Sequence, residues 1–250
     1  KKQPSRGPIA MSEPVERPPS HLFYQSRQRR PLLDRGEGVY LYDVEGNAYL
    51  DGSSGAMVSN IGHSNPRVIE AMRRQIEKAT FGYRLHFENE PAEMLAAETA
   101  RRMPGDLDRI FFVSGGSEAV ESCLKLARQY AVARGEEDRW KILGRELSYH
   151  GTTVTTLAAG RQTKRRAHLG PLLPDWPTAP ACYCLRCPLE QSYPDCGVAC
   201  VDAVEAALVE AGPETVAAVV AEPIAEVVAP PPEQRDREPA RSPHRDAKNV

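Results

Sequence analysis

Arg109-Ile110-Phe111-Phe112-Val113, followed by Ser114-Gly115-Gly116-Ser117-Glu118-Ala119, decides the fold. The apolar run predicts a short strand, and Ser117 to Arg134 carries apolar residues at the spacing of a long amphipathic helix. A glycine-rich turn between them aims the free backbone N–H groups and the positive dipole end of the helix at the carboxyl edge of a sheet, where phosphate binds. Ser117 adds a hydroxyl. The stretch is neither a dinucleotide fingerprint nor a P-loop, because it lacks the third glycine and the Gly-Lys-Ser/Thr ending. Glycines that serve only a tight strand-to-helix turn explain the same letters, and on this stretch alone the two readings weigh about equally.

Outward from this turn, strand and helix patterns alternate. Lys141-Ile142-Leu143 predicts a strand. Cys200 to Ala211 predicts a helix with Val201, Val204 and Leu208 inward, closed by Gly212-Pro213. Val216 to Ala221 is a continuous apolar run, the pattern of a strand buried on both faces. The alternation predicts an α/β fold with a mainly parallel sheet. Toward the N-terminus, Val39 to Asp43 and Ala48 to Leu50 flank the turn Glu45-Gly46-Asn47 and predict a β-hairpin. Asn65-Pro66 opens a helix with Val68, Ile69, Met72 and Ile76 on one side, and a second helix follows Pro91. The expected organisation is a disordered extension over 1–20, an N-terminal segment with the hairpin over 21–70, an α/β domain over 71–224 and a disordered tail over 225–250. Both ends are rich in proline and charge and poor in apolar periodicity.

The 250 residues are 41% hydrophobic and 26% charged, the balance of a globular protein. A net charge of −2 carries no footprint for nucleic acid or an anionic membrane surface, and neither is expected as a partner. No window approaches the roughly 18 consecutive apolar residues of a membrane span, and no apolar h-region follows Lys1 and Lys2. A cytoplasmic location is the expectation. Five of the six cysteines crowd into Cys182, Cys184, Cys187, Cys196 and Cys200 instead of being spread as a disulfide framework, and Cys123 falls in the long helix as a core residue.

Two more strand ends carry chemistry. Ser148-Tyr149-His150-Gly151 follows the strand at Lys141, so it emerges at the same sheet edge as the glycine turn. Tyr149 suits stacking on a flat ligand, and Gly151 lets a ligand approach the backbone. Standing alone, the motif is better explained by a loop tyrosine packed on the surface and a satisfied histidine. Glu222-Pro223 ends the last strand and places a carboxylate at that edge.

Together these motifs resemble the class III pyridoxal-phosphate-dependent aminotransferases, of the aspartate aminotransferase fold type. The similarity includes Gly36-Glu37-Gly38-Val39-Tyr40-Leu41-Tyr42-Asp43, Tyr49-Leu50-Asp51-Gly52 and Gly62-His63-Ser64-Asn65-Pro66. It continues through Phe111 to Glu121, Ser148 to Gly151 and Ala221-Glu222-Pro223-Ile224, covering about Leu22 to Ile224. The resemblance implies fold type I, here an N-terminal segment plus the first part of the large-domain sheet. It implies that Gly116 and Ser117 bind the phosphate of pyridoxal 5′-phosphate, that Tyr149 lies against the pyridine ring, and that His150 and Gly151 complete the loop. Glu222 becomes the active-site acid, and Ser53, Ser54 and Gly55 fall in the segment that lines the substrate side in relatives. The implied reaction moves an amino group from an amine or ω-amino acid donor to a 2-oxo acid acceptor, in a homodimer.

Past Glu222-Pro223 the family pattern calls for a strand ending Asp-Glu-Val and for the Schiff-base lysine, and neither follows here. Lys248, the one lysine beyond Glu222, has no family context. A frameshift or premature stop after Ile224 is the expectation, with a catalytically incompetent product that exposes a strand edge and an uncovered apolar face. The competing expectation is a non-catalytic paralogue acting as a dimerisation or zinc-binding module. Cysteine spacing of this kind suits a tetrahedral zinc site. A similar Arg-Cys-Pro insertion occurs in some class III aminotransferases without a metal in the reaction, so no metal is assigned. The basic run Arg161, Lys164, Arg165 and Arg166, without interleaved aromatics, reads as a solvated face.

Overall fold

Residues 19–23 and 29–223 are described by the computed structural model. The extension expected over 1–20, apart from residues 19 and 20, and the tail expected over 225–250 lie outside them. The chain forms two compact units that divide between Asp108 and Arg109. Position 70, anticipated as a boundary, is inside a helix of the first unit.

Asp43 organises the first unit. Its Oδ1 accepts the N–H groups of Glu45 (3.0 Å) and Asn47 (2.9 Å), and its Oδ2 accepts the Asn47 side-chain amide (2.9 Å) and the Tyr49 hydroxyl (2.7 Å). One carboxylate thereby reverses the chain between β2 (Tyr40–Asp43) and β3 (Ala48–Leu50), which pair antiparallel with Tyr40 opposite Leu50. The expected hairpin is present. β1 (Leu33–Glu37), which the sequence pattern does not reveal, joins the other edge of β2. The donors around Asp43, the Asn47 amide foremost, hold its carboxyl below the usual 3.8. The stabilisation is complete above that usual value and is lost as pH falls through the lower, folded one. Near-ultraviolet circular dichroism of the tyrosines is therefore expected to report an acid transition of this unit below pH 3.8, and Asp43→Asn is expected to flatten it.

Three helices follow: α1 (Ser54–Met57), α2 (Pro66–Lys78) and α3 (Glu90–Ala100). Asn65 caps α2 by accepting the Arg67 N–H at 3.1 Å, and Asn89 caps α3 through Ala92 at 2.9 Å. The apolar stripe of α2 has the predicted spacing. Its members Val68, Ile69, Met72 and Ile76 are nevertheless 38–60% exposed.

The second unit is a three-layer α/β arrangement. β4 (Lys141–Arg145) is the middle strand, with β5 (Thr178–Ala179) and β6 (Val216–Val219) parallel to it on either side. Ile142 and Leu143 are successive residues, so they point to opposite faces of the sheet. Ile142 packs with Leu124 of α4 (Gly116–Ala133), Ala158 and Ala159 of α5 (Val154–Gly160), and Trp176. Leu143 packs with Ala179, Val216 and the inner face of α7 (Ala199–Ala211), chiefly Val204 and Leu208. A short helix, α6 (Thr163–Arg166), follows α5.

Arg109 to Val113, expected as a strand, is not part of either sheet among the described residues. Phe111, Phe112 and Val113 are exposed. β6 is buried on both faces only at its start: it is an edge strand, and Val219 is 50% exposed where Val216 is 5%. Val201 lies on the same stripe as Leu208 but at the first turn of α7, past the reach of the apolar cluster, and is exposed. Cys123 is exposed instead of core, since the buried positions of α4 are Leu124 and Ala131 and one residue of helix turns the side chain by about 100°.

Candidate active site

Gly115, extended at φ −167°, precedes α4 as its N-cap. Glu118 folds back to accept the Ser114 N–H at 2.8 Å. The N–H groups of Gly116, Ser117 and Glu118 have no intrahelical acceptor, as in the first turn of any helix. The loop between β4 and α5 closes on this terminus. Ser117 Oγ accepts the Thr152 N–H at 3.1 Å, and Gly151 sits against it at φ +130°. A Cβ at Gly151 would lie 2.8 Å from Ser117 Oγ, 2.8 Å from Thr156 Oγ1 and 2.9 Å from Ser117 Cα. Glycine is needed here first of all for the close approach of Ser117 and Thr156.

The rest of the loop is fastened by hydroxyls. Thr153 Oγ1 donates to Glu121 at 2.6 Å, and Thr155 Oγ1 donates to the same carboxylate oxygen. Ser148 Oγ donates to the Arg145 carbonyl at 2.5 Å. The end of β6 is tied in from the other side: Glu222 Oε2 accepts the Tyr149 N–H at 3.0 Å, and the Glu222 carbonyl accepts Arg145 Nη2 at 2.6 Å. The Arg165 guanidinium lies over the half-buried Tyr149 ring, 4.6 Å from its centroid. Of the residues singled out in the sequence, Ser117, Tyr149, His150, Gly151 and Glu222 are thus drawn around one loop, with Gly116 beside Ser117 in α4. Ser53, Ser54 and Gly55 belong to the first unit.

His150 is 7% exposed, and its Nε2 has no hydrogen-bond partner. Burial pushes its pKa down; the Glu222 charge opposes this and Arg145 adds to it. The unfolded chain therefore binds a proton more readily than the folded one below the usual 6.5. Stability is complete above that value and declines as pH falls from it toward the depressed folded value. Urea midpoints measured from pH 7.5 to 5 are expected to fall in that window. His150→Gln is expected to remove that part of the slope.

Thr152, Thr153 and Arg145 build the loop and escaped the motif reading, and Glu121, the last residue of the α4 motif, has no role in that reading. The run Thr152-Thr153-Val154-Thr155-Thr156 after His150-Gly151 is the signal that marks the threonines. The basic run is not simply solvated. Arg166 Nη1 donates to the carbonyls of Leu157 (3.2 Å) and Ala158 (2.9 Å) at the end of α5, and Arg161 bonds the Trp176 carbonyl. Both cations satisfy carbonyls that a terminating helix and an adjoining loop leave open. Among the described residues no group of three or more His, Cys, Asp or Glu side chains is arranged to hold a metal.

Residues 24–228 match the family described as aminotransferase class-III. The chain belongs to the class III aminotransferases. These are pyridoxal-phosphate-dependent enzymes of fold type I, and the parallel sheet of the second unit is part of that α/β domain. The chain is 36% identical over 213 residues to the uncharacterized aminotransferase YodT of Bacillus subtilis, covering 83% of this chain and 47% of that one. An (S)-enantioselective omega-transaminase from Thermomicrobium roseum superposes with a TM-score of 0.76 at 35% identity, covering 82% of this chain and 47% of the other. An omega transaminase from Pseudomonas jessenii, in complex with PMP, does so with 0.73 at 27% identity, covering 78% and 44%. The class III chain described here thus spans about half the length of its relatives.

The residues present fit the family cofactor. A helix N-terminus with a serine hydroxyl and a glycine-sided loop forms an anion cradle. Beside it a buried imidazole nitrogen lacks a partner within the protein.

Proposed function

We propose that this chain carries the phosphate-binding part of a class III aminotransferase that moves an amino group from a primary amine or ω-amino acid to a 2-oxo acid. The observation that carries this reading is the clasp of Gly151 and Thr152 on Ser117 at the first turn of α4. Gly116 and Ser117 would hold the phosphate through their N–H groups and the Ser117 hydroxyl. Tyr149 would cover the pyridine ring, and His150 and Gly151 would close the loop beside it. Glu222 fixes the Tyr149 backbone and presents a carboxylate at the sheet edge. Pyridoxal 5′-phosphate, when bound, supplies an electron sink for the carbon that exchanges the amine. The complete enzyme is proposed to be a cytoplasmic homodimer; no described helix is long and apolar enough to cross a membrane.

Among the described residues, none of the side chains gathered around this loop is a lysine that could bind the cofactor aldehyde or move a proton. These 250 residues alone are expected to give no turnover with pyruvate and an amine donor. Equilibrium dialysis tests the cradle directly: pyridoxal 5′-phosphate is expected to bind and pyridoxal, which lacks the phosphate, to bind far more weakly. Ser117→Ala is expected to weaken the phosphate ester about 10-fold, the loss of one hydrogen bond to a charged group. Equal binding of the two compounds would overturn the assignment.

A further inference from the structure

Cys182 and Cys200 stand 18 positions apart in sequence and 3.4 Å apart between their sulfurs. Cys182 follows Ala179 and Ala181, which are buried beside β4, and Cys200 is in the first turn of α7, whose inner face packs on the same apolar cluster. The core therefore sets their separation, not a chance loop excursion. Cys184, Cys187 and Cys196 line the same small cavity of about 20 Å³ but sit on the turns that cross between these two anchors. Among the described residues, only Cys182 and Cys200 bring two sulfurs within hydrogen-bonding distance. None of the six cysteines is in a disulfide, and Cys182 is exposed and Cys200 half-buried, so small reagents reach the pair.

We propose that Cys182 and Cys200 form an oxidisable dithiol, a site of exchange with low-molecular-weight disulfides. A sulfur–sulfur bond of about 2.05 Å requires the two atoms to approach by little more than an ångström, within reach of side-chain rotation. The exchange runs in two steps. One cysteine thiolate attacks a sulfur of the small disulfide, forming a mixed disulfide and releasing one small thiolate. The second cysteine gives its proton to solvent and attacks the mixed disulfide at the protein sulfur, releasing the second small thiol. Two protein thiols are oxidised, and one small disulfide is reduced to two thiols. The product closes the cysteine-bearing segment onto α7. A tetrahedral zinc site would instead need four ligands around one ion, and no described cluster of three or more is so arranged.

The test is a titration of the full chain with oxidised and reduced glutathione, followed by alkylation, intact mass and peptide mapping. The expected product has lost two hydrogens, retains four of its six alkylatable thiols and carries a Cys182–Cys200 cross-link. Cys200→Ser should abolish that product and leave a mixed disulfide on Cys182. A chain with Cys184, Cys187 and Cys196 all changed to Ser should still form it. A bridge confined to those three cysteines would overturn the proposal, as would six thiols that stay alkylatable throughout. A zinc ion held by the thiols and shielding them from alkylation would overturn it too.

Discussion

Gly144→Ala is expected to destabilise the second unit by about 3 kcal/mol or more, the upper end of the cost of overpacking a closed interior. A Cβ on Gly144 would press into the carbonyl oxygen of Ala159, 3.1 Å from its carbonyl carbon and 3.5 Å from its Cα. Everything it meets is backbone, so no side chain can swing away. β4 is held in register on both sides: the Gly144 N–H donates to the Pro177 carbonyl at 3.2 Å, and the Leu143 carbonyl accepts the Val220 N–H at 2.9 Å. Residues Thr156 to Gly160 of α5 are buried. The strain is relieved only if α5 lifts from the sheet, and its first turn carries the Thr153 and Thr155 bonds to Glu121. Both the urea midpoint and affinity for pyridoxal 5′-phosphate should therefore fall. Gly115→Ala is the control: a Cβ there meets nothing within 4 Å, and its extended backbone suits any residue. Its stability should fall by no more than about 1 kcal/mol, because alanine is a poorer N-cap than glycine. Equal midpoints for the two variants would show that α5 does not pack on β4 as described.

What the chain discloses in sequence divides along the range of the interactions. The start of α4 is legible because glycines, an apolar run and a helical stripe are neighbours, and the Asn65-Pro66 start of α2 is legible for the same local reason. β1 is not, because Leu33-Asp34-Arg35-Gly36-Glu37 has no alternation and becomes a strand only through the backbone of β2. Arg109 to Val113 is the converse, a strand-like composition that belongs to neither sheet of the described residues. Strand formation takes a partner, and composition says nothing about where that partner is. In the candidate site, the residue types at Ser117, Tyr149 and Gly151 are readable, but the reasons for them are not. Glu222 reaches Tyr149 across 73 positions, and Gly144 is glycine because of Ala159; both facts exist only once α5 and β6 have docked on β4.

Gly151→Ala separates the two duties of the cradle, packing and binding. Its φ of +130° is a region that L-residues rarely adopt, which costs about 1–3 kcal/mol, and the contacts with Ser117 and Thr156 add a clash of similar size. The expected single-variant result is a loss of about 2–6 kcal/mol in unfolding free energy, together with weakened binding of pyridoxal 5′-phosphate. Ser117→Ala by itself frees the Thr152 N–H and removes the proposed hydroxyl donor to the phosphate, a smaller loss. In the double variant the contact with Ser117 Oγ disappears, while those with Ser117 Cα and Thr156 Oγ1 remain, as does the positive φ. The double-mutant cycle should therefore show partial rescue in stability, with a favourable coupling of about 0.5–1.5 kcal/mol, and no rescue in phosphate-ester binding. Full rescue of stability would mean that the hydroxyl alone requires glycine at 151. Rescue of binding would mean that the phosphate is held elsewhere, because a chain lacking both the hydroxyl and the close approach of the loop has no cradle left at the first turn of α4.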